Sequence, residues 1–179
     1  MKQYDKIETQ IKEILEAMLN DAAMPKLSKP KSQPKWTREI KSRICTLGEK
    51  EKCGVCASGT KKKGHWEEWL YDVTWFKNNN WFKNNKKNEY IAYFPLVLEC
   101  EWGDEKEISY DFEKLLLART RHRVMIFQNT TKKSDVKEIL KKLKKEAHKF
   151  KDSQKGDRYF FAGYDNNTDS FKFDLLVLP

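Results

Sequence analysis

The chain has 179 residues, 39% of them hydrophobic, which is enough for one domain with a sizeable core and argues against a second full domain. Lys and Arg outnumber Asp and Glu by 36 to 27, and the formal net charge of +9 favours a polyanionic partner, although an AT-rich genome also enriches Lys and Asn. No apolar run approaches a transmembrane span and the lysine-containing start lacks the apolar core of a signal peptide, so the expectation is a soluble cytoplasmic protein, away from membranes, with four reduced cysteines.

Over residues 4–20, Ile7, Ile11, Ile14, Leu15, Met18 and Leu19 recur at helical spacing between charged residues. This predicts an amphipathic helix that either packs on the domain or forms the seam of a homodimer. Residues 24–34 carry Pro25, Pro30 and Pro34 without apolar periodicity and read as a linker, so the chain divides into residues 1–34 and a single α/β domain over 35–179. A second helix is expected over 36–47, capped by Thr37, with Ile40, Ile44 and Leu47 as its stripe and Gly48 as its stop. Cys53 and Cys56 have the spacing of half a zinc site, with Cys45 and His65 in reach. A second closely spaced pair is missing, and residues 53–58 read instead as a short strand leading into a hairpin turn rich in Lys61, Lys62 and Lys63.

Two β-prone segments follow, 68–75 and 93–102. Side chains alternate faces along a strand, so Trp69, Tyr71, Val73 and Trp75 share one face and Leu70, Asp72 and Thr74 the other. In the second segment Leu96, Leu98, Cys100 and Trp102 point one way while Val97, Glu99 and Glu101 point the other. Two carboxylates at this spacing lie roughly 7 Å apart, and if the strands are neighbours Asp72 joins them. Acids in segments this apolar either face water from an open sheet face or are neutralised by a hard divalent cation. Between the segments, 75–80 and 81–86 are near-identical hexads in a long Asn-rich loop. That loop is either a tolerated surface expansion, or a nucleic-acid contact in which Trp81 and Phe82 stack on bases while Lys77, Lys83, Lys86 and Lys87 meet phosphates.

After a Gly103-Asp104 turn, residues 108–119 are expected to be helical on an apolar face that includes Ile108, Phe112 and Leu115; Lys114 lies about opposite Phe112, a phase that points to solvent. Residues 122–128 read as a strand buried on both faces. Residues 134–150 form a helix whose other face, crowded with Lys137, Lys141, Lys142, Lys144, Lys145 and Lys149, is either solvated or lies along a phosphate backbone. Segments 158–164 and 171–178 read as a closing C-terminal hairpin. The fold expected is α/β, a central mixed β-sheet flanked by helices.

A helix, then Asp72, then Glu99-Cys100-Glu101 at the end of an apolar strand, then a helix and the strand near 123–128, together resemble the PD-(D/E)XK nuclease superfamily over residues 36–130. The resemblance implies a restriction-endonuclease-like core with the N-terminal helix and C-terminal hairpin added to it. It also implies Mg²⁺- or Mn²⁺-dependent hydrolysis of nucleic acid, DNA first. Asp72, Glu99 and Glu101 would be catalytic metal ligands, and Glu39 would orient a metal-bound water from the second helix. Glu101 stands where the family pattern has lysine, a Glu-x-Glu variant that occurs among restriction endonucleases. In some relatives the missing lysine comes from a neighbouring element, and here Lys114 is the candidate. The alternatives are a catalytically silent nucleic-acid-binding or interaction protein of the same fold, and glycoside hydrolysis by paired carboxylates.

Overall fold

The computed structural model describes residues 3–27, 29–60, 67–78, 90–129 and 135–179. Within them, six strands form one mixed sheet whose spatial order follows the chain: β1 (Gly54–Cys56), β2 (Val73–Asn78), β3 (Ile91–Glu101), β4 (Thr120–Gln128), β5 (Arg158–Asp165) and β6 (Ser170–Val177). The first three make an antiparallel meander, β4 runs parallel to β3, β5 runs parallel to β4, and β6 closes antiparallel on β5. Four α-helices accompany the sheet among the described residues: α1 (Lys6–Leu19), α2 (Gln33–Lys50), α3 (Glu105–Leu117) and α4 (Val136–Lys149). Parallel neighbours need long crossovers, and α3 and α4 supply the two required. The expected α/β architecture is therefore present, closing hairpin included.

Each sheet face has its own core. On one, Ile11, Leu15 and Met18 of α1 and Trp36, Ile40 and Ile44 of α2 pack with Val73, Trp75, Leu96, Leu98, Val124 and Ile126. On the other, Ile108, Phe112 and Leu115 of α3 and Ile139, Leu143 and Ala147 of α4 pack with Val97, Met125, Phe127, Tyr159 and Phe161. The unbroken apolar run of β4 thus divides its side chains between two helical layers, as a central parallel strand must. The first helix packs on the sheet and shares the core of the rest of the chain. An Asp5 and Glu8 capping box starts it, and Arg158 of β5 holds both Glu8 oxygens at 2.9 and 2.6 Å. The segment read as a linker contains a 3-10 turn, Pro30–Ser32, that runs directly into α2.

Helix α2 departs from expectation at both ends. It starts at Gln33, so Thr37 lies inside it; the Thr37 hydroxyl donates to Gln33 O and accepts from Trp102 Nε1 at 2.7 Å. Gly48 does not stop the helix, which runs on to Lys50. Its glycine is required by packing, because a Cβ there would sit 2.7 Å from the Trp75 ring and 2.9 Å from Val55 Cγ1. Gly48→Ala gains helix propensity of about 1 kcal/mol, but it presses into a buried tryptophan, which costs about 1–3 kcal/mol. The expected result is a net loss of stability, read as a lower denaturant midpoint.

A third departure concerns residues 68–72, which are not strand. Trp69 and Leu70 are 53% and 64% exposed, and Tyr71 turns to the α3 side to donate to Lys114 O. The alternation of faces therefore holds only from Val73 onward.

Candidate functional site

The decisive geometry lies where β3 ends. Val73 pairs with Leu98, so Asp72 comes opposite Glu99 one step further on. There the ladder stops, because Asp72 Oδ2 accepts the Cys100 N–H at 2.9 Å and so takes the place of a backbone carbonyl. Its other oxygen, Oδ1, accepts from Lys41 of α2 at 2.8 Å, and Lys41 also reaches Glu68 at 2.7 Å. Burial works against the Lys41 charge, but the bonds to Asp72 and Glu68 outweigh it and hold its pKa above the ordinary lysine range.

Glu99, 2% exposed, points toward α3. Lys114 Nζ lies 2.6 Å from Glu99 Oε1 and 2.9 Å from Asp111 Oδ1, one turn back on the same helix. Lys114 thus brings its charge directly against the buried Glu99 Oε1. Burial pushes the Glu99 carboxyl up to about 8; Asp72 and Asp111 add repulsion, and Lys114 offsets part of the shift. Lys114 is held above the ordinary lysine range, because Glu99 and Asp111 outweigh its own loss of solvent. Of the pair, Glu99 is thus the group that titrates near neutrality.

Glu101 shares the Glu99 face. It accepts the Gly103 N–H at 2.5 Å, and its carboxyl is pushed up by burial and by a carboxyl-to-carboxyl hydrogen bond with Asp111. The turn that allows it is set by the Asp104 and Glu107 capping box, which starts α3 immediately after β3.

β2 and β3 are thus antiparallel neighbours, and Asp72, just ahead of β2, meets Glu99 and Glu101 at one end of the sheet, with Asp72 bonded to α2 and Glu99 to α3. Lys114, whose phase pointed to solvent, is brought in as well. The core seam of α3 is centred between Ile108, Phe112 and Leu115, so Lys114 lies on its flank, and a long side chain reaches from there to the strand. Glu39 is not brought in: it pairs with Arg43 at 2.9 Å, and Arg43 in turn pairs with Asp21. Two residues along a helix turn a side chain by roughly 200°, so Lys41 faces the site and Glu39 faces away. Lys41 and Asp111 were missed. A lone lysine inside an apolar helix stripe, at the position where an alanine or leucine would fit, is the signal that marks Lys41. Lys77 is committed elsewhere, donating to the carbonyls of Glu51 and Lys52 at 2.7 Å each. Lys61, Lys62, Lys63, His65, Trp81, Phe82, Lys83, Lys86 and Lys87 lie outside the described residues. The four cysteines form no disulfide and no metal-binding group among the described residues.

Four carboxylates pair with two ammonium groups, Glu68 and Asp72 with Lys41 and Glu99 and Asp111 with Lys114, while Glu101 lies beside Asp111. Asp72, Glu99 and Glu101 do not bring three ligand atoms within 4.8 Å of one another; among the described residues only Asp5, Glu8 and His122 do so. In that trio Arg158 already occupies both Glu8 oxygens and His122 Nε2 sits 2.7 Å from Asp5, so the charge is met internally. Comparison with family models, curated proteins and solved structures returns no match to this chain. No helix among the described residues is long and apolar enough to cross a membrane.

Proposed function

We propose that this chain is a divalent-metal-dependent nuclease of restriction-endonuclease-like fold, with Asp72, Glu99 and Glu101 holding Mg²⁺ or Mn²⁺ and DNA as the first substrate. The observation that carries the reading is the gathering of acids around the nearly inaccessible Glu99 at the end of an edge-opened meander. The order of helix, antiparallel meander, helix and parallel strand supports it. A bound cation supplies Lewis acidity toward a phosphoryl oxygen. The chain's own residues do the rest. Glu99 must release its proton to become a ligand, so metal affinity rises with pH toward about 8. Burial pushes the Glu101 carboxyl up as well, so it too must lose its proton before it can hold a cation. Lys114 places a permanent positive charge beside the acids, the office of the family's lysine, delivered from the helix.

The test is incubation with supercoiled plasmid, single-stranded DNA and RNA in Mg²⁺, Mn²⁺ or EDTA. Cleavage is expected with metal and not with EDTA. Asp72→Asn is expected to stay folded, because the shape and one acceptor remain, and to bind DNA without cutting it. Wild-type cleavage by Asp72→Asn at saturating Mg²⁺ removes this site from the chemistry.

A second reading rests on the two ammonium groups. Lys41 and Lys114 neutralise Asp72 and Glu99 where a cation otherwise would, as in a catalytically silent nucleic-acid-binding protein of the same fold. Binding of nucleic acid without cleavage in any metal selects it.

A further inference from the structure

Helix α4 breaks a local rule. Lys137, Lys141, Lys145 and Lys149 follow one another at four-residue spacing and are all exposed. Like charges at that spacing oppose each other by about 0.2–0.5 kcal/mol per pair, where alternating Glu and Lys would have stabilised the helix. The apolar face of the same helix, Val136, Ile139, Leu143 and Ala147, is already buried in the core, so the lysine stripe adds nothing to packing. A local rule broken with no structural return marks a functional surface. Beside the stripe a groove of about 670 Å³ runs between α4 and β6, lined by these lysines together with Leu140, Lys144 and His148. The acid in its lining, Asp174, is bonded to Lys144.

We propose that this groove holds the sugar-phosphate backbone of a nucleic acid. Lysines one turn apart rise roughly 6 Å per step, and the stripe covers roughly 18 Å of axis. A DNA strand carries a phosphate every ~3.4 Å of axis, so the stripe meets about five of them. An anionic membrane is the poorer occupant, because an interfacial helix inserts its apolar face and this one is spent on the core. The proposal rests on the nuclease reading for its substrate: α4 packs beside α3 on the sheet face that carries Glu99, and the groove lies on the β6 side of α4, three strands from β3.

The test is fluorescence anisotropy of the full chain with labelled duplex and single-stranded DNA in EDTA, across a salt series. The triple variant Lys137→Glu, Lys141→Glu, Lys145→Glu is expected to bind roughly 30-fold more weakly, and the slope of log affinity against log salt to fall by about 2 to 3. The matching Gln variant keeps the test valid if the Glu variant misfolds, and both are expected to melt no lower than wild type. A control with the same charge change at Lys29, Lys31 and Lys50 is expected to lose much less. Equal loss in the control, wild-type affinity and salt slope in the α4 variant, or tighter binding to phosphatidylserine vesicles than to DNA each overturns the proposal. Because the assay contains no metal, it stands or falls separately from cleavage: a protein that binds through α4 and cuts nothing refutes the nuclease reading alone.

Discussion

Glu99→Gln is expected to lower hydrolysis by on the order of 10³-fold, the scale of removing one preorganised electrostatic contact from a transition state, while leaving the metal-free fold as stable as wild type or more so. The reason lies in the proton balance of the buried carboxyl. In the unfolded chain Glu99 ionises at its ordinary value of 4.5, whereas in the folded protein it keeps its proton up to about 8. Between those values unfolding releases a proton, so wild-type stability falls as pH rises and levels off above about 8. The fall amounts to about 5 kcal/mol. Gln at this position is always neutral and removes that slope, so the variant should match wild type near pH 5 and exceed it at pH 9. Mg²⁺ binds the ionised form and should therefore stabilise the wild type most at high pH, with no comparable gain for the variant. Chemical denaturation at three pH values, with and without Mg²⁺, reads all of this. Equal pH slopes in the two proteins would show that Glu99 is not the titrating group.

Lys114→Met should separate the lysine's electrostatic duty from the metal's. Removing one partner of a buried pair costs about 3–5 kcal/mol; Lys114 keeps 35% of its side chain exposed, so the lower end or less is expected, about 2 kcal/mol. The loss should be smaller at pH 5.5, where Glu99 is protonated and only the Asp111 pairing is lost, and should grow as pH rises past about 8, where an ionised Glu99 faces Asp72 and Asp111 with nothing opposite. Mg²⁺ should bind this variant more tightly than wild type, since no ammonium competes for Glu99 Oε1, yet turnover should fall by about 10²-fold. Tighter metal with slower cleavage is a result that a purely structural lysine does not produce. Weaker metal binding would mean that Lys114 supports the acids and does not compete at them.

Periodicity and burial made most of the fold legible. Helices α1, α3 and α4, the strand β4 and the closing hairpin all follow from apolar spacing, because each of these elements buries one side, or both, against a neighbour that demands that period. The phase of Glu99 and Glu101 could be read the same way, since alternation within one strand needs no tertiary information. Other features were decided only by tertiary structure. Asp72 looked like a strand residue, but its side chain takes the Cys100 N–H and ends the ladder there, a competition between side chain and backbone that no local pattern shows. Gly48 looked like a helix stop, but the approach of Trp75 from another element requires a glycine there. Lys114 looked solvent-facing by its angle to Phe112; whether a flank residue meets water or a carboxylate depends on where the helix docks and how far the side chain reaches. Lys41 meets Asp72 while Glu39 turns away to Arg43 for the same reason, because the rotation of α2 is set by the sheet beneath it. The sequence alone determined which groups are acidic, basic or apolar and how they alternate; only the packing of α2 and α3 against the end of β3 decided which charges face one another.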